Sequence, residues 1–340
     1  MSTESSPGSA KMKAINIRND TGPAEALFLN ESPIPIPKDS QVLVKVKAFG
    51  LNRMDLSQRL GNYPVPPQAG NILGVEFSGV VEHVGRGVTG KFKVGEEVFG
   101  LTYGGAYAEC VAVEAGTLMH KPNGLSWEEA ASIPEAWMTA TQALRIANFC
   151  AGKTIMWHAG ASSVSIAGIQ LSLAGGATAV YATAGSQDKL DFCVKTLGAT
   201  DAFNYKEKDF SVEIDRLTNG KGVDIIIDFV GQSYLQKNLN RMAKDGSIIA
   251  LAAMSGSVAK EIDLSAFVRK RVRLQGSTLR SRDERYQERL CDHFVEVALP
   301  SLSNGSFKLC IERVFSWEKI VEAHKLMESN QTKGKIICTI

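Results

Sequence analysis

Apolar and polar residues alternate with period two along Met12–Ile17 and again along Gln41–Ala48 (QVLVKVKA), the pattern of half-buried strands. Thr21-Gly22-Pro23 breaks the first run, and Pro33, Pro35 and Pro37 mark an extended linker before the second. Further short strand-like runs recur between glycine turns: Phe77–Gly85, Gly95–Gly100 and Gly104–Val111. That spacing predicts a compact all-β unit from Lys11 to about Pro122. At Leu125 the period changes. Ser126-Trp127-Glu128-Glu129 reads as a capping box, and Glu135–Ala147 (EAWMTATQALRIA) reads as a helix. From Gly152 to about Gly276 unbroken apolar runs at Ile155–Trp157, Ala179–Ala182, Ala202–Tyr205, Val223–Phe229 and Ser247–Ala252 alternate with helical stretches. Unbroken apolar strands separated by helices predict a parallel sheet covered on both faces. A helix over Glu284–Leu299, a strand over Ile311–Phe315, a helix over Glu318–Ser329 and a closing strand over Gly334–Ile340 follow. This last segment is too small to fold alone and is expected to return to the first unit.

The fold class is therefore α/β, a doubly wound parallel-sheet domain beside a β-rich unit. The expected boundaries are a polar tail over 1–10, the β-rich unit over 11–134 with 277–340, and the α/β domain over 135–276.

The stretch Thr154–Ser186 (TIMWHAGASSVSIAGIQLSLAGGATAVYATAGS) organises the α/β domain. Its order of strand, tight turn, helix and strand is the first half of a dinucleotide-binding unit, whose helix N-terminus offers N–H groups to a pyrophosphate. The G-x-G-x-x-G fingerprint reads Gly160, Ser162, Ser165 here, with one glycine of three. Taken alone, the stretch leaves open a nucleotide site or a plain βαβ unit. Ser165 is expected to press on the helix–strand contact that the third glycine ordinarily permits.

Lys+Arg 38 against Asp+Glu 36 leaves a net charge of +2, which makes no case for a nucleic-acid or anionic-membrane partner. The basic cluster Arg269–Arg273 reads as a solvated helix end. Six scattered cysteines without C-x-x-C spacing suggest neither a zinc lobe nor a disulfide framework, and point to a reducing, cytoplasmic setting. The five histidines show no metal spacing, and no apolar run reaches membrane-spanning length.

The motifs GVEFSGVVEHVG, VGEEVFG, GGAYAECV, AASIPEAWMTA, the βαβ unit and GKIICTI, in that order, resemble the medium-chain dehydrogenase/reductase superfamily over nearly the whole chain. Within it, LNRMDLSQRLGNYPVPP, IPEAWMTATQ, ATAGSQDKL, FNYKEKDF, LRSRDERY and HKLMESNQTKGKI resemble the zinc-free quinone oxidoreductases, nearest the stress-inducible subgroup that a tumour suppressor switches on. The resemblance implies a Rossmann domain, a GroES-like catalytic domain and a homodimer formed through edge strands of the α/β domains. Zinc-dependent relatives carry cysteine at the position of Asn52 and histidine at that of Val75, so no metal is expected.

The second strand ends at Thr183-Ala184-Gly185-Ser186, with no acid until Asp188, then Lys189, with Tyr205 in the next strand. A hydroxyl, a cation and a phenol around an acid-free corner suit a ribose 2′-phosphate, hence NADPH, the cofactor the family binds at these positions. Gly160, Ala161, Ser162, Ser163, Val164, Gly185, Ser186, Lys189 and Tyr205 are the expected cofactor-binding residues, joined by Phe229, Val230, Leu251 and Met254 at the ends of later strands, the edge where ligands of such sheets bind; by the resemblance Thr139 lies near the nicotinamide, and Lys335 either reaches a phosphate or is a surface lysine. Asn52 and Tyr63 are the expected catalytic residues, Tyr63 stacking on the acceptor and donating a hydrogen bond, Asn52 positioning nicotinamide or acceptor. Leu279 and Arg280 stand as contributors to the cleft or to the subunit interface.

The expected activity is hydride transfer from NADPH to a quinone, ortho-quinones first, held in the interdomain cleft. A quinone becomes aromatic on reduction, so no Lewis acid is demanded, and solvent is a sufficient proton source. Two alternatives stand beside it: reduction of α,β-unsaturated carbonyls (an enone or 2-alkenal), and NADPH sensing with little catalysis, motivated by Ser163 and Ser165.

Overall fold

The computed structural model describes residues 10–340. The expected tail lies outside the described residues except for Ala10, whose carbonyl accepts the Ile34 N–H at 3.0 Å. The chain divides into two compact units: one runs to Glu135 and resumes over Arg280–Ile340, the other is continuous over Ala136–Leu279.

In the first unit β1 (Lys11–Ile17) pairs antiparallel with β2 (Leu27–Pro33). The larger sheet is built from β3 (Gln41–Gly50), β4 (Glu76–Val84), β5 (Glu97–Leu101), β6 (Cys110–Glu114) and β7 (Leu118–His120). β3 is its hub. It pairs with both β4 and β6, and its Val42, Val44 and Val46 point into the core while the intervening residues face outward. Phe49, Phe77 and Tyr107 fill that core with no solvent exposure. A short helix, α1 (Arg53–Arg59), follows β3. Further on, α2 (Trp127–Ala131) starts at the expected capping box: the Ser126 hydroxyl accepts the Glu129 N–H at 3.1 Å, and the Glu129 carboxylate accepts the Ser126 N–H at 2.9 Å.

The boundary between units falls inside α3 (Pro134–Ile146). The second unit then alternates β8 (Thr154–Trp157), α4 (Ser163–Ala174), β9 (Ala179–Ala184), α5 (Gln187–Asp191), β10 (Asp201–Asn204), α6 (Phe210–Leu217), β11 (Val223–Asp228), α7 (Leu235–Arg241), β12 (Met242–Ala250), α8 (Ser265–Lys270) and β13 (Arg273–Gly276). The six strands are parallel in the order β10-β9-β8-β11-β12-β13. That is the doubly wound order, and it reverses between β8 and β11, where ligands of such sheets bind beyond the strands' carboxyl ends. All six residues of β9 are buried, as the unbroken apolar run requires.

The chain re-enters the first unit through α9 (Glu284–Val297), α10 (Leu299–Ser303), β14 (Ile311–Ser316), α11 (Ile320–Glu328) and β15 (Lys335–Thr339). β15 pairs with β3 antiparallel, Ile337 opposite Gly50, and with β14 parallel.

Four local expectations change. The strand expected from Gly104 begins only at Cys110, because residues 105–107 are held as a turn by the carbonyls of Ile72, Gly74 and Leu73. The unit expected to be all-β contains α1, and β2 lies where no strand was expected, since its sequence LFLNESP does not alternate. β13, with all four residues exposed, has a polar sequence that periodicity does not flag. No helix among the described residues is long and apolar enough to cross a membrane.

Candidate functional site

The first unit buries a cluster of charges. Asp55 and Glu76 are fully buried, and Glu135, Lys335 and Arg280 nearly so. β4 opens with Glu76, β15 with Lys335, and Asn52 immediately precedes α1, so three elements deliver one group. One Glu76 oxygen, Oε1, accepts the Asn52 amide at 2.7 Å and pairs with the Lys335 ammonium. The other, Oε2, accepts the Glu135 N–H at 2.9 Å. The Lys335 ammonium also donates to the Asn52 Oδ1 at 2.6 Å, so the Asn52 side chain is held at both ends. Lys335 is thus not the surface lysine that stood as one of its two expected readings: its ammonium is turned inward onto Asn52 and Glu76.

Asp55 Oδ2 accepts the Asn52 backbone N–H at 2.8 Å and the Tyr107 hydroxyl at 3.2 Å. Behind it, Arg59 donates to His324 Nδ1 at 3.0 Å, which leaves Nε2 as the protonated nitrogen facing the Tyr107 oxygen at 3.3 Å. Burial, and then the Arg59 charge, pull His324 down to about 3, so it is neutral. Arg59 itself is ion-paired with Glu328. Burial raises Asp55 to about 6; burial and the Glu76 carboxylate raise Glu135 to about 7.

Arg280 donates through Nε to the Tyr103 carbonyl at 2.7 Å and through Nη1 to Gln58 at 2.7 Å, and its guanidinium lies 5.3 Å from the centre of the Tyr63 ring. Its Nη2 is buried with no hydrogen-bond partner among the described residues. Burial, followed by Glu135, raises the Tyr63 hydroxyl's pKa, so it stays protonated as a donor. The three-proline loop thus sets Tyr63 against a buried cation.

In the second unit, the turn after β8 is closed by the Gly160 N–H donating to the Thr183 carbonyl at 2.7 Å. A Cβ at Gly160 would lie 2.8 Å from both Ala182 Cβ and Cys193 Sγ, so this glycine is required by space. Ser162 is the N-cap of α4. Its side chain accepts the Ser165 N–H at 3.4 Å, and its carbonyl accepts that of Ile166 at 2.9 Å. The N–H groups of Ser163 and Val164 have no acceptor among the described residues, as is usual in the first turn of a helix. Ser165 does not crowd the helix. Its hydroxyl donates to the His158 carbonyl at 2.8 Å, and the close helix–strand approach occurs at Gly168, whose added Cβ would overlap the Trp157 ring.

At the second strand's end Gly185 lies beneath Tyr205: a Cβ there would come within 2.7 Å of the phenol oxygen. Ser186 precedes α5 without capping it, and Lys189 lies on that helix, half-buried. The loops after β11 and β12 are tied together: Met254 N–H donates to Phe229 O at 3.0 Å, and Leu251 N–H to Asp228 O at 2.8 Å. Asp228 Oδ1 accepts the Val230 N–H at 2.7 Å. The structure therefore brings Gly160–Val164, Gly185, Tyr205, Phe229, Val230, Leu251 and Met254 to the carboxyl edge of one sheet; Thr139 lies on α3, half-buried.

The residues at the positions where zinc-dependent relatives are expected to carry ligands offer a metal little. Asn52 offers an amide already bound at both ends, Val75 offers nothing, and Glu76 holds an ammonium. Among the described residues no three His, Cys, Asp or Glu side chains are grouped to hold a metal ion.

Asp55, Glu76 and the His324–Tyr107 line were not among the expected site residues. The available signal was a charge inside a run that has to be buried: Glu76 in GVEFSGVV, Glu135 in SIPEAW and Lys335 in GKIICTI.

Residues 38–136 match the family model described as the alcohol dehydrogenase GroES-like domain, and residues 163–296 the model described as zinc-binding dehydrogenase. A quinone oxidoreductase of Sus scrofa is 30% identical over 336 residues, covering 97% of this chain and 98% of that protein. A 2-methylene-furan-3-one reductase of Solanum lycopersicum is 32% identical over 347 residues, 96% of this chain and 79% of that one. Among solved structures, a quinone oxidoreductase of Pseudomonas syringae pv. Tomato superimposes with a TM-score of 0.84 at 28% identity, over 97% of this chain and all of that one. With both family models matched in the expected order and near-full-length relatives, the chain is an oxidoreductase that belongs to the medium-chain dehydrogenase/reductase superfamily and, within it, to the quinone oxidoreductase family.

Proposed function

We propose that the protein is a zinc-independent, NADPH-dependent quinone oxidoreductase. The observation that carries this reading is the Tyr63–Arg280 pair: a flat ring for stacking an acceptor, beside a buried guanidinium with an unused N–H for a carbonyl oxygen. As an oxygen gathers charge on reduction, a fixed buried donor becomes more favourable, which assists hydride transfer without a metal.

The turn residues suit a dinucleotide. The amides of Ser163 and Val164 at the start of α4 would hold the pyrophosphate, and Gly160 keeps the approach open. Ser186, Lys189 and Tyr205 would take the 2′-phosphate. Bound there, the reduced nicotinamide supplies the hydride.

The test is steady-state oxidation of NADPH and NADH against ortho- and para-quinones, enones and alcohols. We expect NADPH with ortho-quinones to be preferred, and Tyr63→Ala to lower kcat/KM at least about tenfold. Unchanged kcat/KM in both Tyr63→Phe and Tyr63→Ala would remove the assisting role. The reductase of Solanum lycopersicum among the relatives supports a second reading, reduction of an activated C=C bond. Higher kcat/KM on an enone than on every quinone would favour it.

A further inference from the structure

The buried cluster of the first unit does not balance its charges. It holds three carboxyl groups, Asp55, Glu76 and Glu135, against two cations, Lys335 and Arg280. The buried Arg59 is engaged by Glu328, and the His324 it donates to is neutral. Fully ionised, the cluster carries one excess negative charge with almost no solvent contact, and an uncompensated buried charge is strongly unfavourable. Protonating one carboxyl removes the excess.

The hydrogen bonds indicate where that proton resides. Both Glu76 oxygens are already engaged by donors: one is paired with Lys335 and accepts from Asn52, the other accepts from the Glu135 backbone, which leaves no place for the proton there. Asp55 has only Oδ2 engaged; Oδ1 is buried with no hydrogen-bond partner among the described residues, an arrangement costly for a carboxylate. Glu135 sits beside Glu76, and two neighbouring carboxylates resist ionising together.

We propose that this cluster stores one proton at neutral pH, shared between Glu135 and Asp55, and delivers it to the oxygen of the quinone that has accepted the hydride. The acceptor's identity rests on the functional reading above; the stored proton does not. In the step, a hydride from the reduced nicotinamide leaves its C–H bond and forms an O–H bond at one quinone carbonyl oxygen, and its two electrons make the ring aromatic, so the other carbonyl oxygen becomes a phenolate. The carboxyl O–H bond breaks with its electron pair left on the carboxylate, an O–H bond forms on the phenolate, and water later restores the proton.

The groups facing the pair have defined effects. Lys335 and Arg280 favour ionisation of both, as do the Asn52 N–H and the Tyr107 hydroxyl for Asp55; Glu76 opposes it for Glu135. Burial, then Glu135 and Asp55, raise the Tyr63 hydroxyl's pKa, so it remains a neutral phenol. The outcome of these opposing influences is the pair of raised carboxyls, at about 6 and about 7.

Infrared spectroscopy of the cofactor-free protein tests storage directly. Near pH 6 we expect the C=O stretch of about one protonated carboxylic acid per chain, absent at about pH 9 and shifted or lost in both Glu135→Gln and Asp55→Asn. Should Asp55→Asn fail to fold, carbon-13 labelling of glutamate alone assigns the band in the unaltered protein. In turnover, the rate with an ortho-quinone should fall about tenfold as pH rises from 6 to 9, with a solvent deuterium effect, and Glu135→Gln should flatten that profile. No acid band near pH 6, or a band that neither variant moves, overturns storage. A rate without pH or deuterium dependence overturns delivery. If no quinone is reduced at all, the functional reading fails, while the infrared band still decides whether the proton is there.

Discussion

Ser165 and Gly168 divide between them what the third glycine of a dinucleotide turn ordinarily does alone. The serine hydroxyl fastens the start of α4 to the His158 carbonyl, and the glycine one turn later lets the helix settle on Trp157, whose indole N–H donates to Ser172 at 3.1 Å. Replacing Ser165 by Ala removes one buried hydrogen bond and should lower stability by about 1 kcal/mol. Gly168→Ala forces a methyl group into a fully buried indole and should cost about 1–3 kcal/mol by overpacking, outweighing any gain in helix propensity. Urea unfolding of both variants checks the order: a Gly168→Ala protein as stable as the parent would show that α4 can draw back from Trp157 at little cost.

At the scale of elements, the charge cluster joins α1, β4, α3 and β15, and its protons couple to folding. A carboxyl whose pKa is raised by folding binds its proton more tightly in the folded chain, so its contribution to stability is complete below the unfolded pKa and is lost as pH rises through the folded one. For Asp55 and Glu135 the window opens near pH 4 and closes near pH 6 and 7 respectively. At about 1.4 kcal/mol per unit, and shared within a coupled pair, the loss is on the order of a few kcal/mol. His324 works oppositely: its lowered pKa makes stability rise with pH from about 3 to the ordinary histidine value. Chemical denaturation at a series of pH values should therefore show the parent losing stability relative to the Asp55→Asn/Glu135→Gln double variant between pH 4 and about 7, and running parallel to it above.

The same elements show what the sequence made legible. β8 and β9 announce themselves because a strand buried on both faces must be apolar throughout, and α2 because its cap is written in four consecutive residues. β2, β13 and α1 do not, because an edge strand or a short helix beside a buried cluster has no face whose period reveals it. The cluster is the harder case. Asn52 and Lys335 are bonded across 283 positions, a separation that no local pattern encodes; only the misplaced charges hinted at it.

For the whole molecule, the resemblance carries a homodimer, and the second unit offers the edge for it. β13 ends the parallel sheet with every residue exposed, Leu274 among them; α8, which packs on β12, leaves Val268 uncovered, as is Leu264 just before that helix. An exposed strand edge with apolar residues is a template for pairing with another chain. Light scattering at micromolar concentration should report a dimer, and Leu274→Glu should weaken it at least about tenfold by setting like charges across the seam. A parent protein that stays monomeric would send the interface elsewhere.

The insertion of one unit into the other also has a consequence for biosynthesis. Chains emerge from the ribosome in order, and units tend to fold as they are completed. Residues 136–279 form a continuous unit and are complete while β3 still lacks its neighbour β15. Until Lys335 has been made, the buried Glu76 and Asn52 have no ammonium between them. The unit that begins first should therefore be the one that folds last, its nascent sheet held open to chaperones until the lysine arrives.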